Sequence, residues 1–305
     1  MKVTHVETIV AIAEAGSLRA AARTLQKSQP ALTKTLKQAE EELGAKIFAR
    51  AARGVEPTEI GRKIIARARM ISAEFRKLDE DIRQIQGDGS GDLHVIVSPL
   101  AAVRIVPQVM DRFRRQFPHV HLQVAGGHPP AALAVLRSGE ADLVIGPVPA
   151  KDDRAGLTIR NLVKTPLAVI TGKGSRHAGA TRLSELGGAE WIMVGPRKRS
   201  FGIAADFVAA GLPVPDPITT SDSITSLLAM IEGSDRVCSF PALMLEEILP
   251  RWQIVALALT DPVQPVQIGL MSRADRPLTP AGQAFADAVM NRARQLVPTS
   301  SDNQE

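Results

Sequence analysis

The stretch GSLRAAARTLQKSQPALTKTLKQAEEELG, residues 16–44, contains the signals for two consecutive helices. Ser17 and Ser28 stand where helix N-caps are expected, and Pro30 falls in a first turn, where its missing N–H does no harm. Apolar residues follow each cap at steps of three and four, and Gly44 supplies a stop. The same steps mark a preceding helix at Val6, Ile9, Val10 and Ala13. Two helices joined by a few residues, after a third, predict a helix-turn-helix.

The segments that follow predict a hairpin and one long helix. Residues 45–57 lose the helical period and contain Gly54 and Pro57, which favours a short hairpin or wing. Thr58 caps the next helix, whose apolar residues recur at alternating steps of four and three: Ile64, Ala68, Ile71, Phe75, Leu78, Ile82 and Ile85. Such a heptad seam, on a helix roughly 40 Å long, predicts pairing with a second helix, and packing on its own domain is the alternative.

Positive charge is concentrated at the start of the chain. Residues 1–70 hold 13 Lys and Arg against 7 Asp and Glu, a net +6, whereas the whole chain of 305 residues carries +5. A basic N-terminal module on a nearly neutral body is typical of proteins that bind a polyanion, most often nucleic acid. A chance fluctuation of a few charges is the alternative.

Composition and length place the chain among globular proteins with more than one domain. Hydrophobic residues make up 45% and charged residues 23%, and no apolar run approaches the roughly 18 residues that a membrane span requires. Glu7 comes before any signal-peptide core, so we expect a cytoplasmic protein that does not contact the membrane. The single cysteine, Cys238, excludes an intrachain disulfide and a cysteine-cluster zinc site.

From residue 92 onward, short apolar strands alternate with helices, which predicts an α/β arrangement with largely parallel sheets. About 205 residues suit two such units. The predicted strands are Leu93–Val97, Val120–Val124, Leu143–Ile145, Leu167–Thr171, Trp191–Val194, Val237–Ser239 and Gln267–Ser272. The predicted helices cover about 102–117, 129–138, 200–210, 222–232, 241–248 and 279–296.

Polar side chains around the helix-turn-helix are candidates for DNA contact. Hydroxyl, amide and ammonium groups at the start of a recognition helix can reach base edges and phosphates, and wing arginines can hold flanking phosphates or a narrow minor groove. The candidates are Ser17, Arg19, Ser28, Gln29, Pro30, Thr33, Lys34, Lys37, Arg50 and Arg53.

These residues resemble the N-terminal signature of LysR-type transcriptional regulators. GSLRAAA (16–22), SQPALTK (28–34), EEELGAKIFAR (40–50) and RGVEPTEIG (53–61) match it in order, spacing and residue type. GEADLVIGP (139–147) extends the resemblance more weakly along the chain. The departures are modest, because Thr33 replaces a common serine and Ala39 and Pro57 each replace a common leucine.

The resemblance implies an α/β protein with an all-α winged helix-turn-helix N-terminal domain and two Rossmann-like subdomains resembling periplasmic binding proteins. The implied divisions are the DNA-binding domain at 1–58, a linker (dimerisation) helix at 59–87, a hinge at 88–91, effector-binding subdomain I at 92–162 and 268–297, effector-binding subdomain II at 163–267, and a disordered tail at 298–305. Such bacterial regulators bind duplex promoter or operator DNA as homo-oligomers, commonly dimers of dimers. A small, usually anionic organic effector in the cleft alters DNA bending and contact with RNA polymerase. The resemblance implies neither catalysis nor a cofactor.

Candidate effector contacts follow from the strand pattern. Ligands of open α/β sheets sit beyond the carboxyl ends of the strands, where helix N-termini offer free N–H groups. Ser98 directly follows the first strand and precedes a helix, so we expect it to be the best single contact. Equivalent corners, which match effector-contact regions of the family, hold Pro99, Leu100, Gly127, His128, Pro147, Val148, Pro196, Arg197, Ser200, Phe201, Thr220 and Phe240. Arg197 begins a basic trio that favours an anion. Plain helix caps and a solvated basic surface are the alternatives.

Other function classes find less support in the residues. His119 and His121 share a strand face, but the sequence places no third metal ligand beside them, so we expect no metal site. The nucleophile motif Gly-x-Ser-x-Gly does not occur, and we expect no catalytic residues. A solute-binding protein would leave the N-terminal ninety residues unexplained. A constitutive DNA-binding protein without an effector remains the alternative to a ligand-responsive regulator.

Overall fold

Two compact units make up the chain. The first unit comprises Met1–Asp88 with Arg137–Glu140, and the second unit comprises Gly89–Leu136 with Ala141–Glu305. The computed structural model describes residues 1–51, 54–86, 90–194, 203–216, 219–221 and 223–296. Within those residues, we find no helix that combines the length and the apolar character needed to span a membrane.

Local capping signals define the helices of the first unit. Its elements are α1 (Val3–Ala15), α2 (Leu18–Thr24), α3 (Gln29–Leu43), β1 (Phe48–Ala51), β2 (Gly54–Pro57) and α4 (Glu59–Ile85). The hydroxyls of Ser17, Ser28 and Thr58 each accept a hydrogen bond from the N–H three residues ahead, at 3.2, 3.3 and 2.9 Å. Helices α1 and α3 end at Gly16 and Gly44, whose φ angles of 66° and 64° favour glycine.

The core of the first unit explains how the wing joins the helices. Apolar side chains from α1, α2, α3, the wing and α4 meet there, including Val6, Ile9, Ile12, Ala21, Leu32, Leu36, Ile47, Ile65 and Ala68. The start of α4 packs so closely on the wing that a Cβ at Gly61 would lie 2.0 Å from the carbonyl oxygen of Ile47. Only glycine fits this position without a backbone shift.

The apolar seam of α4 is divided between two environments. Ala68 is buried in the core of the first unit, whereas Phe75 and Leu78 are 42% and 54% exposed. Ile71 and Ile82 are also exposed, and the side chain of Ile85 lies outside the described residues. Thus the beginning of the seam packs on its own domain, and the middle of the helix presents an apolar stripe.

The second unit contains three groups of strands with intervening helices. Its elements are β3 (Gly91–Val97), α5 (Val106–Gln116), β4 (Val120–Gly126), α6 (Ala131–Ser138), β5 (Leu143–Pro147), β6 (Leu157–Thr165), β7 (Leu167–Gly172), β8 (Ile192–Val194), α7 (Ile203–Ala209), β9 (Thr219–Ser221), α8 (Ile224–Ile231), β10 (Val237–Pro241), α9 (Leu245–Ile248), β11 (Ile254–Ala256), β12 (Val266–Arg273) and α10 (Pro280–Gln295). A π-helical turn at Ala101–Ile105 precedes α5, and a 3-10 turn at Ala242–Met244 precedes α9.

The expectation of largely parallel sheets is wrong. The first sheet has the order β4-β3-β5-β12-β6, in which β4, β3 and β5 are parallel but β12 is antiparallel to both β5 and β6. The second sheet, β10-β7-β11, is antiparallel, and β8 and β9 form a separate parallel pair. The chain leaves the first sheet after β6 and returns to it as β12. On this return the chain runs in the opposite direction, so β12 is antiparallel to both of its neighbours.

Alternate side chains of β3 enter the two cores on opposite faces of the first sheet. Val95 and Val97 enter the core shared with α5 and α10, while Ile96 enters the opposite core with α6. Helices therefore cover both faces of this sheet. Ser98 follows directly after the last residue of β3, beyond the carboxyl end of the strand.

Candidate functional site

Helix α3 has one buried face and one polar face. Leu32 and Leu36 are buried, as the apolar period predicts. The exposed face carries five predicted DNA-contact residues that line one surface depression: Gln29, Pro30, Thr33, Lys34 and Lys37. The Thr33 hydroxyl donates to the Gln29 carbonyl at 2.9 Å, so its lone pairs remain available to a donor on DNA. The structure therefore brings amide, hydroxyl and ammonium groups together on the exposed face of α3.

The remaining DNA candidates differ in their surroundings. Ser17 and Ser28 cap α2 and α3, as their positions in the sequence predict. Arg19 is exposed on α2, and Arg50 is exposed on the wing strand β1. Arg53 lies outside the described residues.

A buried carboxylate fastens the wing to the end of α3. Glu40 accepts hydrogen bonds from Lys46 Nζ at 2.6 Å and from the backbone N–H groups of Ile47 and Phe48 at 2.9 and 3.4 Å. Burial alone raises the pKa of Glu40, but these hydrogen bonds outweigh it and hold the pKa below its usual value. Sequence reasoning did not select this residue. Its only signal was a charge four residues after Leu36, where the apolar period of α3 predicts a buried side chain.

The second unit contains a cavity at the strand ends, which we call the Ser98 cavity. Its wall consists of Ser98, Pro99, Leu100, His128, Pro147, Leu167, Met193, Val194, Ile203, Ser239, Phe240, Pro241, Val266 and Ile268. The cavity volume is about 80 Å³, counted over positions that the centre of a water molecule can occupy. One water needs roughly 10–15 Å³ on this measure, so the cavity has room for a small organic molecule.

Ser98 is the most distinctive polar group of this wall. It is only 3% exposed, and within the described part of the chain its hydroxyl has no hydrogen-bond partner. Its N–H donates to the Ile145 carbonyl at 2.7 Å, which anchors the residue to the adjacent strand β5. Gly146 lies so close that a Cβ there would sit 3.3 Å from the Ser98 Cβ.

The cavity contains about half of the predicted effector contacts. Ser98, Pro99, Leu100, His128, Pro147 and Phe240 lie on the wall, whereas Gly127, Val148 and Thr220 do not. Gly127 packs on Ile96, because a Cβ added to Gly127 would lie 2.6 Å from a methyl carbon of Ile96. Val148 packs close to Gly269. Thr220 is exposed on β9. Pro196, Arg197, Ser200 and Phe201 lie outside the described residues.

The wall residues that sequence reasoning missed are almost all apolar. They are Leu167, Met193, Val194, Ile203, Ser239, Pro241, Val266 and Ile268. An apolar residue at a strand end looks the same in sequence whether it packs inside a core or borders a cavity. The strand ends of the second sheet were the one available signal.

Neither the histidines nor the cysteine form a reactive centre in the described residues. His119 and His121 are exposed, and the described part of the chain holds no group of three or more His, Cys, Asp or Glu suited to a metal ion. Cys238 is buried, and burial raises the pKa of its thiol. A buried thiol with a raised pKa is a poor nucleophile.

A winged helix-turn-helix joined to an α/β unit with a strand-end cavity defines a transcriptional regulator with a ligand-binding domain. Residues 3–62 match the family model described as bacterial regulatory helix-turn-helix protein, lysR family. Residues 86–294 match the LysR substrate binding domain. The chain belongs to the LysR family of DNA-binding transcriptional regulators, and the predicted family and fold class are confirmed.

Individual relatives share the full length of the chain. The HTH-type transcriptional regulator GalR of Pseudomonas putida is 30% identical over 96% of this chain and 73% of its own length. GbpR of Azospirillum brasilense is 28% identical over 99% of this chain and 92% of its own length. The crystal structure of CbnR, a LysR family transcriptional regulator, aligns with a TM-score of 0.68 at 22% identity over 96% of this chain and 99% of that one. The structure of full-length CbnR with its target DNA aligns with a TM-score of 0.67 at 23% identity, over 96% of this chain and 100% of that one. At these identities the structures show the shared fold.

Proposed function

We propose that this regulator senses a small organic effector in the Ser98 cavity and that the effector changes how the protein engages duplex promoter DNA. One observation carries the proposal: the Ser98 hydroxyl is buried at an apolar cavity without a partner among the described residues. Leaving such a hydroxyl unmet costs about 1–3 kcal/mol, so natural proteins normally satisfy it. A ligand bound in the cavity can supply this hydrogen bond.

The position of the cavity suits a switch. Its wall includes Ser98 directly after β3, Pro147 from the first sheet, and Leu167 and Phe240 from the second sheet. A bound molecule would therefore contact both sheets, between which the chain passes after β6 and returns before β12. A ligand shifts a conformational equilibrium only by the difference in its affinity for the two states. A tenfold difference supplies about 1.4 kcal/mol.

DNA contact is proposed for the exposed face of α3. Its ammonium groups attract phosphates, and the amide and hydroxyl groups of Gln29 and Thr33 can read base edges. Arg19 and Arg50 extend the polar surface onto α2 and the wing. The contribution of Arg53 is proposed from its position in the predicted wing and from the family resemblance.

A homo-oligomer is proposed from the exposed stripe of α4. Ile71, Phe75, Leu78 and Ile82 recur on one helical face, which suits pairing with the same helix of a second copy. Two paired chains present two helix-turn-helix units to two half-sites. A dimer of dimers, contact with RNA polymerase, a cytoplasmic location and a purely regulatory, non-catalytic role complete the proposal, and membership of the family supports them.

The test combines a ligand screen with DNA binding. Thermal melting of the full chain with a panel of small organic compounds identifies a ligand, because specific binding raises the midpoint by mass action. Fluorescence anisotropy on a duplex selected from genomic fragments then measures DNA affinity with and without it. A ligand that raises the midpoint but leaves both the affinity and the footprint unchanged would favour a constitutive DNA-binding protein.

A charge-reversal pair tests the DNA-binding face. Lys34→Glu is expected to weaken duplex binding at least about tenfold and to reduce the slope of log affinity against log salt by about one or more. Lys173→Glu makes the same charge change at an exposed residue of the second unit and serves as the matched control. Equal affinity of the two variants for the duplex would remove α3 from the interface.

A further inference from the structure

The wall of the Ser98 cavity indicates the chemistry of its ligand, on the basis of the function proposed above. We infer that the effector is an uncharged, mainly apolar small molecule that carries one hydrogen-bonding group for Ser98. The anion expected from the sequence rests on the family resemblance and on the cluster that begins at Arg197, which lies outside the described residues. The described wall supports a neutral ligand on three separate grounds.

The first ground is the absence of charge among the described wall residues. Ser98, His128 and Ser239 are the polar members of the wall, and the other eleven of its fourteen residues are apolar or proline. None of the fourteen is Lys, Arg, Asp or Glu. An ionised carboxylate loses its hydration on entering such a site and regains stability only from a cation or several donors.

The second ground is that Arg104, a cation four residues after the wall residue Leu100, is already paired with carboxylates. Arg104 belongs to the π-helical turn that follows Leu100. Its guanidinium donates to Glu246 at 2.9 Å and to Glu247 at 3.4 Å. Two carboxylates already meet this charge, and Arg104 does not line the wall, so this cation is not offered to a ligand in the cavity.

The third ground is the backbone at the strand ends. Anions are commonly held there by free N–H groups, but Pro99, Pro147 and Pro241 border this cavity and proline has no N–H. The N–H of Ser98 is committed to the Ile145 carbonyl at 2.7 Å. The usual backbone donors for an anion are therefore reduced around Ser98.

What the wall offers in their place is a few neutral polar groups, of which the buried Ser98 hydroxyl can both donate and accept. An alcohol, carbonyl or amide group on the ligand satisfies Ser98 from either side of the hydrogen bond. The remainder of the ligand gains stability by leaving water for the apolar wall, as is usual for sites lined by apolar side chains with a few placed polar groups.

The experiment compares probes that share one ring and differ in charge. Benzyl alcohol, benzamide and benzoate are titrated into the full chain by calorimetry and thermal melting, with succinate as a small polar dianion. We expect the two neutral probes to bind at least tenfold more tightly than benzoate and succinate. Ser98→Ala is expected to lower the affinity for benzyl alcohol about tenfold, because the hydrogen bond is lost. Without ligand, the melting midpoint of Ser98→Ala is expected to be no lower than that of the parent, since the substitution removes a buried hydroxyl that has no partner in the described protein.

Two further variants keep the outcome decisive. Ser184→Ala removes an exposed serine away from the wall and is expected to leave every affinity unchanged. Leu167→Trp places a large ring on the wall at a partly exposed residue and is expected to abolish binding of the neutral probes.

The possible failures separate the ligand class from the proposed function. Tighter binding of benzoate or succinate, equal affinities in the parent and Ser98→Ala, or no binding of any neutral probe would each overturn the inference. If an anion binds and alters DNA affinity, the regulator remains ligand-responsive and only the ligand class is wrong. If a neutral probe binds as expected but DNA affinity and footprint do not change, the ligand class stands and the switch fails.

Discussion

Replacement of Glu40 tests whether one buried carboxylate holds the wing on α3. Glu40→Ala removes the acceptor for the Ile47 N–H at 2.9 Å and for the Phe48 N–H at 3.4 Å. An unsatisfied buried N–H costs about 1–3 kcal/mol, and the longer contact is the weaker one, so we expect a loss of about 2–3 kcal/mol in the first unit. Lys46 is 74% exposed at its side chain, and its ion pair adds about 1 kcal/mol at most.

Amide hydrogen exchange is the assay that isolates this effect. A loss of about 2 kcal/mol speeds exchange of the wing amides roughly thirtyfold when the opening is local. Both tryptophans, Trp191 and Trp252, lie in the second unit, so their fluorescence provides an internal control that should not change. Glu41→Ala is the matched variant, since Glu41 is exposed and its pair with Lys37 at 3.6 Å is worth only a few tenths of a kcal/mol.

The pH dependence of the same bond has a definite sign. The pKa of Glu40 is lower in the folded protein than in the unfolded chain, so its contribution to stability is complete above the unfolded value of about 4.3. The contribution is lost as the pH falls through the folded pKa. Glu40→Gln should therefore remove part of the acid sensitivity of wing exchange. Wing exchange in Glu40→Ala no faster than in Glu41→Ala would refute the reasoning.

Three further substitutions test other parts of the structure. Gly61→Ala should destabilise the first unit by about 1–3 kcal/mol despite the better helix propensity of alanine, because the new Cβ would meet the Ile47 carbonyl at 2.0 Å; equal or slower exchange in the wing would contradict this. Leu78→Arg should reduce the molar mass seen by light scattering by breaking the stripe of α4, whereas an unchanged mass would place the interface elsewhere. Cys238 should resist Ellman's reagent in the native protein and react after unfolding, and rapid native labelling would show that its burial is incomplete.

The first unit was predictable because its signals are local. Ser17, Ser28 and Thr58 each cap the helix that their position in the sequence predicts, and the two glycine stops take the left-handed conformation. Such signals act within four residues and need no knowledge of distant contacts. The same reasoning failed for Glu40, because its partners are six to eight residues away in the wing.

The second unit was less predictable because strand direction depends on distant partners. Strand β12 is a long apolar segment that reads equally well as parallel or antiparallel, and its pairing with β6 joins residues about a hundred positions apart. Strands β6, β9 and β11 were not predicted at all. For the cavity, the sequence identified Ser98 because a polar residue directly after a buried strand is conspicuous. It could not identify Val266 or Leu167, since membership of an apolar wall leaves no chemical mark.

Helix α4 limits how an effector can act on DNA binding. Ile65 and Ala68 are buried in the core that holds the helix-turn-helix, while Leu78 and Ile82 are exposed further along the same helix. The helix contains neither proline nor glycine after Gly61, so it lacks the usual residues at which helices kink. If the exposed stripe pairs with that of a second copy, the position of each helix-turn-helix follows from the crossing of the two α4 helices. An effector would then change DNA contact by altering that crossing, because loosening the helix-turn-helix would require opening the core around Ala68.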